Sequence, residues 1–250
     1  MLNLLYSIYD EAKIGTLDLR TERILDALVR EYTKTAHPIG SLELLRCARL
    51  DVSPATIRNE LLELCERGFL EQPHTSAGRV PTDKGYRFFV DHLSEEGDEL
   101  NSSEAALLAR IFEIRHEDEF MREFVQVLSE ISGAFAAVAL RDKDFMYETG
   151  FSEVADEPEF EDPARAREFG ELVDRLGSGI RGFFDRFARE EERIFIGEEN
   201  PLGFPSYSMV VSQWHHPRGF EGFFTLVGPK RTDYAKHKAV VRRIKKIQKQ

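Results

Sequence analysis

The chain has 250 residues, 42% hydrophobic and 32% charged, with a net charge of −11 at pH 7; that is length for a small domain plus a medium one, and the composition of an ordinary soluble globular protein. Its longest apolar runs, such as AFAAVAL at 134–140, fall far short of the roughly 18 to 20 residues that cross a bilayer. The N-terminal MLNLLYSIYDEAKIG lacks the basic region and small-residue cleavage site of a signal peptide, so a cytoplasmic protein is expected.

The acidity is unevenly spread. Residues 1–93 carry 12 Lys and Arg against 14 Asp and Glu, residues 94–229 carry 13 against 30, and residues 230–250 carry 9 against 1. Neutralising phosphate with Lys and Arg supplies most non-specific nucleic-acid affinity, so DNA binding here has to be local and shape-driven, and the middle third is the part least suited to it. Cys47 and Cys65 fall inside predicted helices without metal-ligand spacing and are expected as buried thiols in a reducing compartment.

In chain order, residues 1–17 form an N-terminal extension. Ile24, Leu25, Leu28, Val29 and Tyr32 then recur at helical spacing, ending before TAHPIGS. A short second helix, SLELLRCA, is expected to start with Ser41 as its cap. The third has Ser53 as N-cap, Pro54 at the favoured first position and Gly68 at its stop. Helix, helix, tight turn, helix is the helix-turn-helix layout. On the third helix Ile57, Leu61 and Leu64 make the buried stripe, while Ala55, Asn59 and Glu66 lie opposite, flanked by Thr56 and Arg58. Its N-terminal end therefore offers Ser53, Ala55, Thr56, Arg58 and Asn59, with no acid before Glu60. Asn can bond bidentately to adenine and Arg to guanine, the Thr and Ala methyls can meet a thymine methyl, and free backbone N–H groups can hold phosphate. A merely solvated helix face is the alternative for these residues taken alone.

FLEQ reads as a short strand and PHTSAGRVP as a loop with a glycine tip, bearing His74, Thr75 and Arg79 and no acid from Gln72 to Thr82. TDKGYRFFVDHL then restarts a helix at Thr82, with Tyr86, Phe89, Val90 and Leu93 inward. A helix-turn-helix followed by a basic hairpin-like loop is a winged helix, here spanning 18–93, and Arg79 is the strongest candidate for a backbone or minor-groove contact.

The run VSPATIRNELLELCERGFLEQPHTSAGRVPTDKGYRFFVDHL, extended upstream through LRTERILDALVREYTKTAHPIGSLELL, resembles the N-terminal signature of the HrcA family of heat-inducible transcription repressors. IGEENP at 196–201 and VGPKRTDYAK at 227–236 are similar to the family's closing segments, and YETGFSEVADEPEFEDPARAREFGELVDRL resembles a further one less sharply. The resemblance implies a repressor that binds double-stranded DNA at an inverted-repeat operator, the CIRCE element, upstream of chaperone operons. It also implies a GAF-like second domain, a homodimer and activity tuned by the GroE chaperonin. One departure stands out: family members are longer, and the portion missing here lies between GAFAAVALRDKDF and MYETGFSEV, where further sensor-domain strands and an inserted dimerisation subdomain are expected.

After a polar, acidic linker at 94–104, residues 105–250 read as a reduced GAF-like α/β domain, making the chain α+β overall. Helical patterns occupy about 103–116, 118–132, 163–176 and 180–190, with a last helix from about 232. Strand-like runs lie near 134–140, 145–149, 193–197, 207–214 and 220–227, the last two suggesting an antiparallel hairpin.

No enzyme, cofactor or metal reading is favoured. GSGIRG at 177–182 matches the dinucleotide fingerprint but follows a helical pattern where the motif needs a strand, so an interhelical turn is expected. His215 and His216 have no carboxylate or cysteine at metal spacing and suit a strand end or loop. The acids of EPEFED and REEER are expected on a solvated face. In the tail Ala235, Ala239, Val240, Ile244 and Ile247 sit near helical spacing, which predicts a closing helix with a wet, positive outer face. The alternative is an auxiliary contact with DNA or with the acidic middle of a partner subunit. A second functional reading is a winged-helix regulator whose shortened second domain serves ligand sensing or protein docking with altered DNA use.

Overall fold

The computed structural model describes residues 17–48, 52–94, 99–141, 143, 145–178, 182 and 192–249. The chain divides into two compact units between Leu93 and Ser94.

In the first unit, α1 (Leu19–Thr35) begins where the Asp18 carboxylate accepts from the backbone N–H groups of Arg20 and Thr21. It buries Ile24, Leu25, Leu28 and Val29, the stripe that 3.6-residue spacing predicts, and ends at Ala36 in the left-handed region. α2 (Ser41–Cys47) is capped one residue earlier than expected. Gly40, in extended backbone, is the N-cap, and Ser41 is the first helical residue, because the Glu43 carboxylate reaches back to the Gly40 N–H. α3 (Pro54–Glu66) starts at Ser53 as expected, turns off at Gly68 (φ +75°), and buries Ile57, Leu61 and Leu64.

β1 (Leu70–Glu71) pairs antiparallel with β2 (Val80–Pro81). Ile39 adds a third edge by exchanging both backbone hydrogen bonds with Arg79, at 2.9 and 2.8 Å. α4 (Asp83–Asp91) is capped by Thr82, whose hydroxyl accepts from the Gly85 N–H and donates to the Gly68 carbonyl. A Cβ on Gly85 would lie 2.2 Å from the Phe69 carbonyl oxygen, so α4 reaches the wing strands this closely only with glycine there. Helix-turn-helix, two-stranded wing and closing helix make this unit a winged helix.

The second unit opens with α5 (Ser102–Ile111), capped by Asn101, so residues 102–104 belong to a helix and not to the expected linker. α6 (Glu117–Ser132) follows, ending at Gly133 in the left-handed region. Five strands, β3 (Phe135–Leu140), β4 (Met146–Thr149), β5 (Glu192–Phe195), β6 (Tyr207–His215) and β7 (Glu221–Pro229), form one antiparallel sheet in the order β4-β3-β7-β6-β5. Both faces are covered, which is why β3 reads as unbroken apolar residues instead of an alternation. Phe120 and Phe124 of α6 pack on Trp214 on one face. On the other, Phe169, Leu172 and Leu176 of α8 (Pro163–Ser178) pack with Phe135, Tyr207 and Phe223. This unit combines helix and sheet, as expected of the second domain. Where the expected inserted portion would lie, β3 and β4 close directly into a hairpin, with Ala139 opposite Met146.

Sequence patterns gave no sign of α7 (Phe151–Ala155) or of the 3-10 turn Pro158–Glu161, elements too short to establish a period. Gly177 and Ser178 of the glycine-rich motif close α8, and the expected helix near 180–190 lies outside the described residues apart from residue 182. The last helix, α9 (Tyr234–Gln248), starts at the Asp233 cap and buries Ala235, Ala239, Val240 and Ile244. Cys47 is exposed, against expectation, because it sits at the outer end of a seven-residue helix that buries only Leu44.

Candidate nucleic-acid interface

α3 presents one polar face. Ser53 accepts a hydrogen bond from the Thr56 N–H at 3.0 Å, and the two hydroxyls lie 2.9 Å apart, so Ser53 is committed to capping and holds the half-buried Thr56. Ala55, Arg58 and Asn59 are exposed. Asn59, on the side opposite Ile57 and Leu61, carries both an amide donor and a carbonyl acceptor, the set that bidentate reading of adenine uses. No acidic residue lies in the first turn of α3.

Glu60 had been expected only to end the acid-free stretch; the structure buries it, 6% exposed, and turns it toward α1. Its Oε1 accepts from Arg20 Nε and Nη2 at 2.9 and 2.7 Å, and its Oε2 accepts from the Thr21 hydroxyl at 2.6 Å. The first carboxylate after the exposed N-terminal positions of α3 is therefore paired inside the fold instead of facing outward.

The wing carries His74 and Thr75 on its exposed tip, which is held by the Gln72 side-chain amide donating to the Thr75 and Ala77 carbonyls at 2.9 and 3.0 Å. Two expectations for the wing need correction. Gly78 is at the base of the wing, not its tip. A Cβ there would meet the Ile39 carbonyl carbon at 2.4 Å, so the wing packs on the Pro38–Ile39 backbone only with glycine. Arg79 is likewise at the base, half-buried, bridged to Ile39 through its backbone, with Nη1 3.4 Å from the Ala77 carbonyl. The wing's outermost groups are thus Pro73 to Ser76, and Arg79 lies behind them.

In the second unit charged groups meet each other across longer stretches of chain than the i,i+4 pairs Asp26–Arg30, Glu63–Arg67 and Arg87–Asp91 of the first. Arg231, only 8% exposed, is clamped by Glu157 and Glu159, so two acids of EPEFED tie down the end of β7 and do not lie on a solvated face. In α9, Lys236 pairs with Glu104, Lys245 with Glu192 and Lys246 with Glu99. The basic tail is the expected closing helix, but three cations of its outer face meet acids of their own unit, on α5, β5 and the segment before α5, and not the partner's acidic middle of the alternative reading. His215 ends β6 and faces Glu221, and His216 sits in the following turn with its ring stacked 4.1 Å from that of Phe220. Among the described residues no three His, Cys, Asp or Glu converge as metal ligands, and no helix is long and apolar enough to cross a membrane.

Residues 86–237 match the family model described as HrcA protein C terminal domain. The chain belongs to the HrcA family. Relatives named Heat-inducible transcription repressor HrcA include one from Pelotomaculum thermopropionicum, 43% identical over 124 residues (49% of this chain, 35% of the relative). One from Symbiobacterium thermophilum is 44% identical over 125 residues (49% and 36%), and one from Natranaerobius thermophilus is 55% identical over 78 residues (31% and 23%). The aligned stretches thus span about a third of the first two relatives' length. A crystal structure of a protein described only as hypothetical is similar in fold, with a TM-score of 0.69 and 16% identity over 94% of this chain and 98% of that one. That solved structure shares the mixed helix and sheet fold described above.

Proposed function

We propose that this chain is a sequence-specific DNA-binding transcription repressor acting in the cytoplasm on an inverted-repeat operator of chaperone genes. The observation that carries the reading is the outer face of α3: Ala55, Arg58 and Asn59 exposed, Thr56 fixed by the Ser53 cap, and Glu60 withdrawn into a buried ion pair. Asn59 and Thr56 read base edges; Arg58, the α3 N-terminus and the wing residues His74 and Thr75 hold the backbone, supported by Arg79 at the wing base. The names borne by the HrcA relatives favour repression over activation.

One winged helix buries only about 600–1,000 Å², too little to select one operator in a genome, so an inverted repeat is read by two copies about a two-fold axis. Gel-shift titration of an inverted-repeat chaperone-promoter duplex against a scrambled duplex at stated salt tests the reading. The operator should bind at least about a thousandfold more tightly, and equal affinities would contradict it. Sedimentation of the saturated complex should give two protomers per full repeat; one would refute the dimer.

A further inference from the structure

We infer that Glu60 is a positioning residue for DNA recognition, a latch that sets the rotation of α3 and so decides whether Asn59 and Thr56 meet base edges. The inference rests on the DNA-binding reading above and deepens it. Glu60 follows Asn59 directly and lies one turn beyond Thr56, so its side chain leaves the helix within about 40° of Thr56 and 100° of Asn59. Its carboxylate is gripped at both oxygens by α1: Arg20 donates twice to Oε1 and the Thr21 hydroxyl donates to Oε2. Thr21 is itself fixed, since its hydroxyl and its N–H both lie within 3.0 Å of the Asp18 carboxylate that caps α1. The start of α1 and the base-reading turn of α3 are therefore joined by one polar chain, Asp18 to Thr21 to Glu60, with Arg20 completing it.

Apolar contacts through Ile57, Leu61 and Leu64 hold α3 to the core, but they are non-directional and allow small rotations. A fork of charge-assisted hydrogen bonds is directional. With side chains extending about 5–6 Å from the helix axis, a 10° rotation moves the Asn59 amide by about 1 Å. The distance range of a good hydrogen bond is only about half that wide, so such a turn breaks a bidentate base contact while barely changing a phosphate contact. Glu60 also offsets the charge of Arg20, whose other acidic partner, Asp18, lies farther away at 3.9 Å.

The test measures affinity for the inverted-repeat and scrambled duplexes with Glu60→Gln, Arg20→Ala and the double variant, each below its unfolding transition as judged by circular dichroism. Glu60→Gln keeps an oxygen for Thr21 and nearly the same volume, which favours retention of the fold. The ratio of operator to scrambled affinity should fall about tenfold in either single variant, the double variant should be no worse than the poorer single, and the scrambled duplex should bind Glu60→Gln as tightly as the parent or tighter. Val90→Ala, a cavity in α4 away from the latch, should lower stability and leave the ratio unchanged. The inference is overturned if the ratio is unchanged in both single variants, if their effects add in the double, or if Val90→Ala lowers the ratio equally. A parent protein that binds both duplexes alike would instead refute the DNA-binding reading itself.

Discussion

The outer face of the winged helix and the α/β unit place their polar groups differently. In the winged helix the side chains at the N-terminal end of the outer face of α3 and on the wing tip are left facing outward, and the acid next in sequence to them, Glu60, is buried against Arg20. In the α/β unit Arg231 is clamped by two acids and three lysines of α9 meet acids of the same unit. Unmet hydrogen-bonding capacity on a rigid element is what a recognition surface requires, whereas internally satisfied charge holds a scaffold in one arrangement. The net charges of −2 and −17 for residues 1–93 and 94–229 follow the same division, as the proposed DNA binding by the first unit requires.

The largest expected effect separates scaffold from reader. Phe120 packs on Phe124 and Trp214 in the α6 face of the sheet, and Phe120→Ala should cost about 3–5 kcal/mol of unfolding free energy in the second unit. Calorimetry should show that loss, while the ratio of operator to scrambled affinity of the folded protein stays at the parental value.

A second effect depends on pH. His237 lies on the buried face of α9, and burial lowers its pKa from 6.5 to about 4, with Asp233 opposing only in part. Above about pH 6.5 both folded and unfolded chains hold it neutral and it takes nothing from stability. As the pH falls from about 6.5 to about 4 the unfolded chain gains the proton first, so up to about 3 kcal/mol is lost across that window. His237→Gln should flatten the pH dependence of the denaturation midpoint there; an unchanged slope would show that the ring already takes up its proton in the folded state.

Smaller and confined to the reader, Asn59→Ala should cost about 1–3 kcal/mol on the operator and almost nothing on scrambled duplex. Equal loss on both would make Asn59 a backbone contact. Smallest of all, Arg167→Ala removes an exposed pair with Glu171 on α8 and should change stability by less than about 0.5 kcal/mol, with DNA binding untouched.

Much of the fold was legible wherever a signal is local. The Ser53 cap, Pro54 and Gly68 mark α3, the stripe Ile57, Leu61 and Leu64 faces its core as spaced, and the runs read at 207–214 and 220–227 pair as the hairpin of β6 and β7. What escaped is set by partners far away in the chain. A glutamate on a helix reads as solvated until Arg20, forty residues earlier, is placed beside it. Arg79 reads as a loop cation until Ile39 claims its backbone, and Glu157 and Glu159 as surface acids until Arg231, more than seventy residues later, closes on them. The outward residues of α3 were readable because an exposed face depends only on the helical period; the buried ion pair beneath them was not, because nothing in a local window identifies its partner.

The most direct test is a salt series of binding to the inverted-repeat and scrambled duplexes with the parent protein and Asn59→Ala. The account predicts a parental preference of at least about a thousandfold, a loss of roughly ten- to a hundredfold of that preference in Asn59→Ala, and parallel salt slopes because no phosphate contact is removed. Equal parental affinity for the two duplexes at every salt concentration would contradict it.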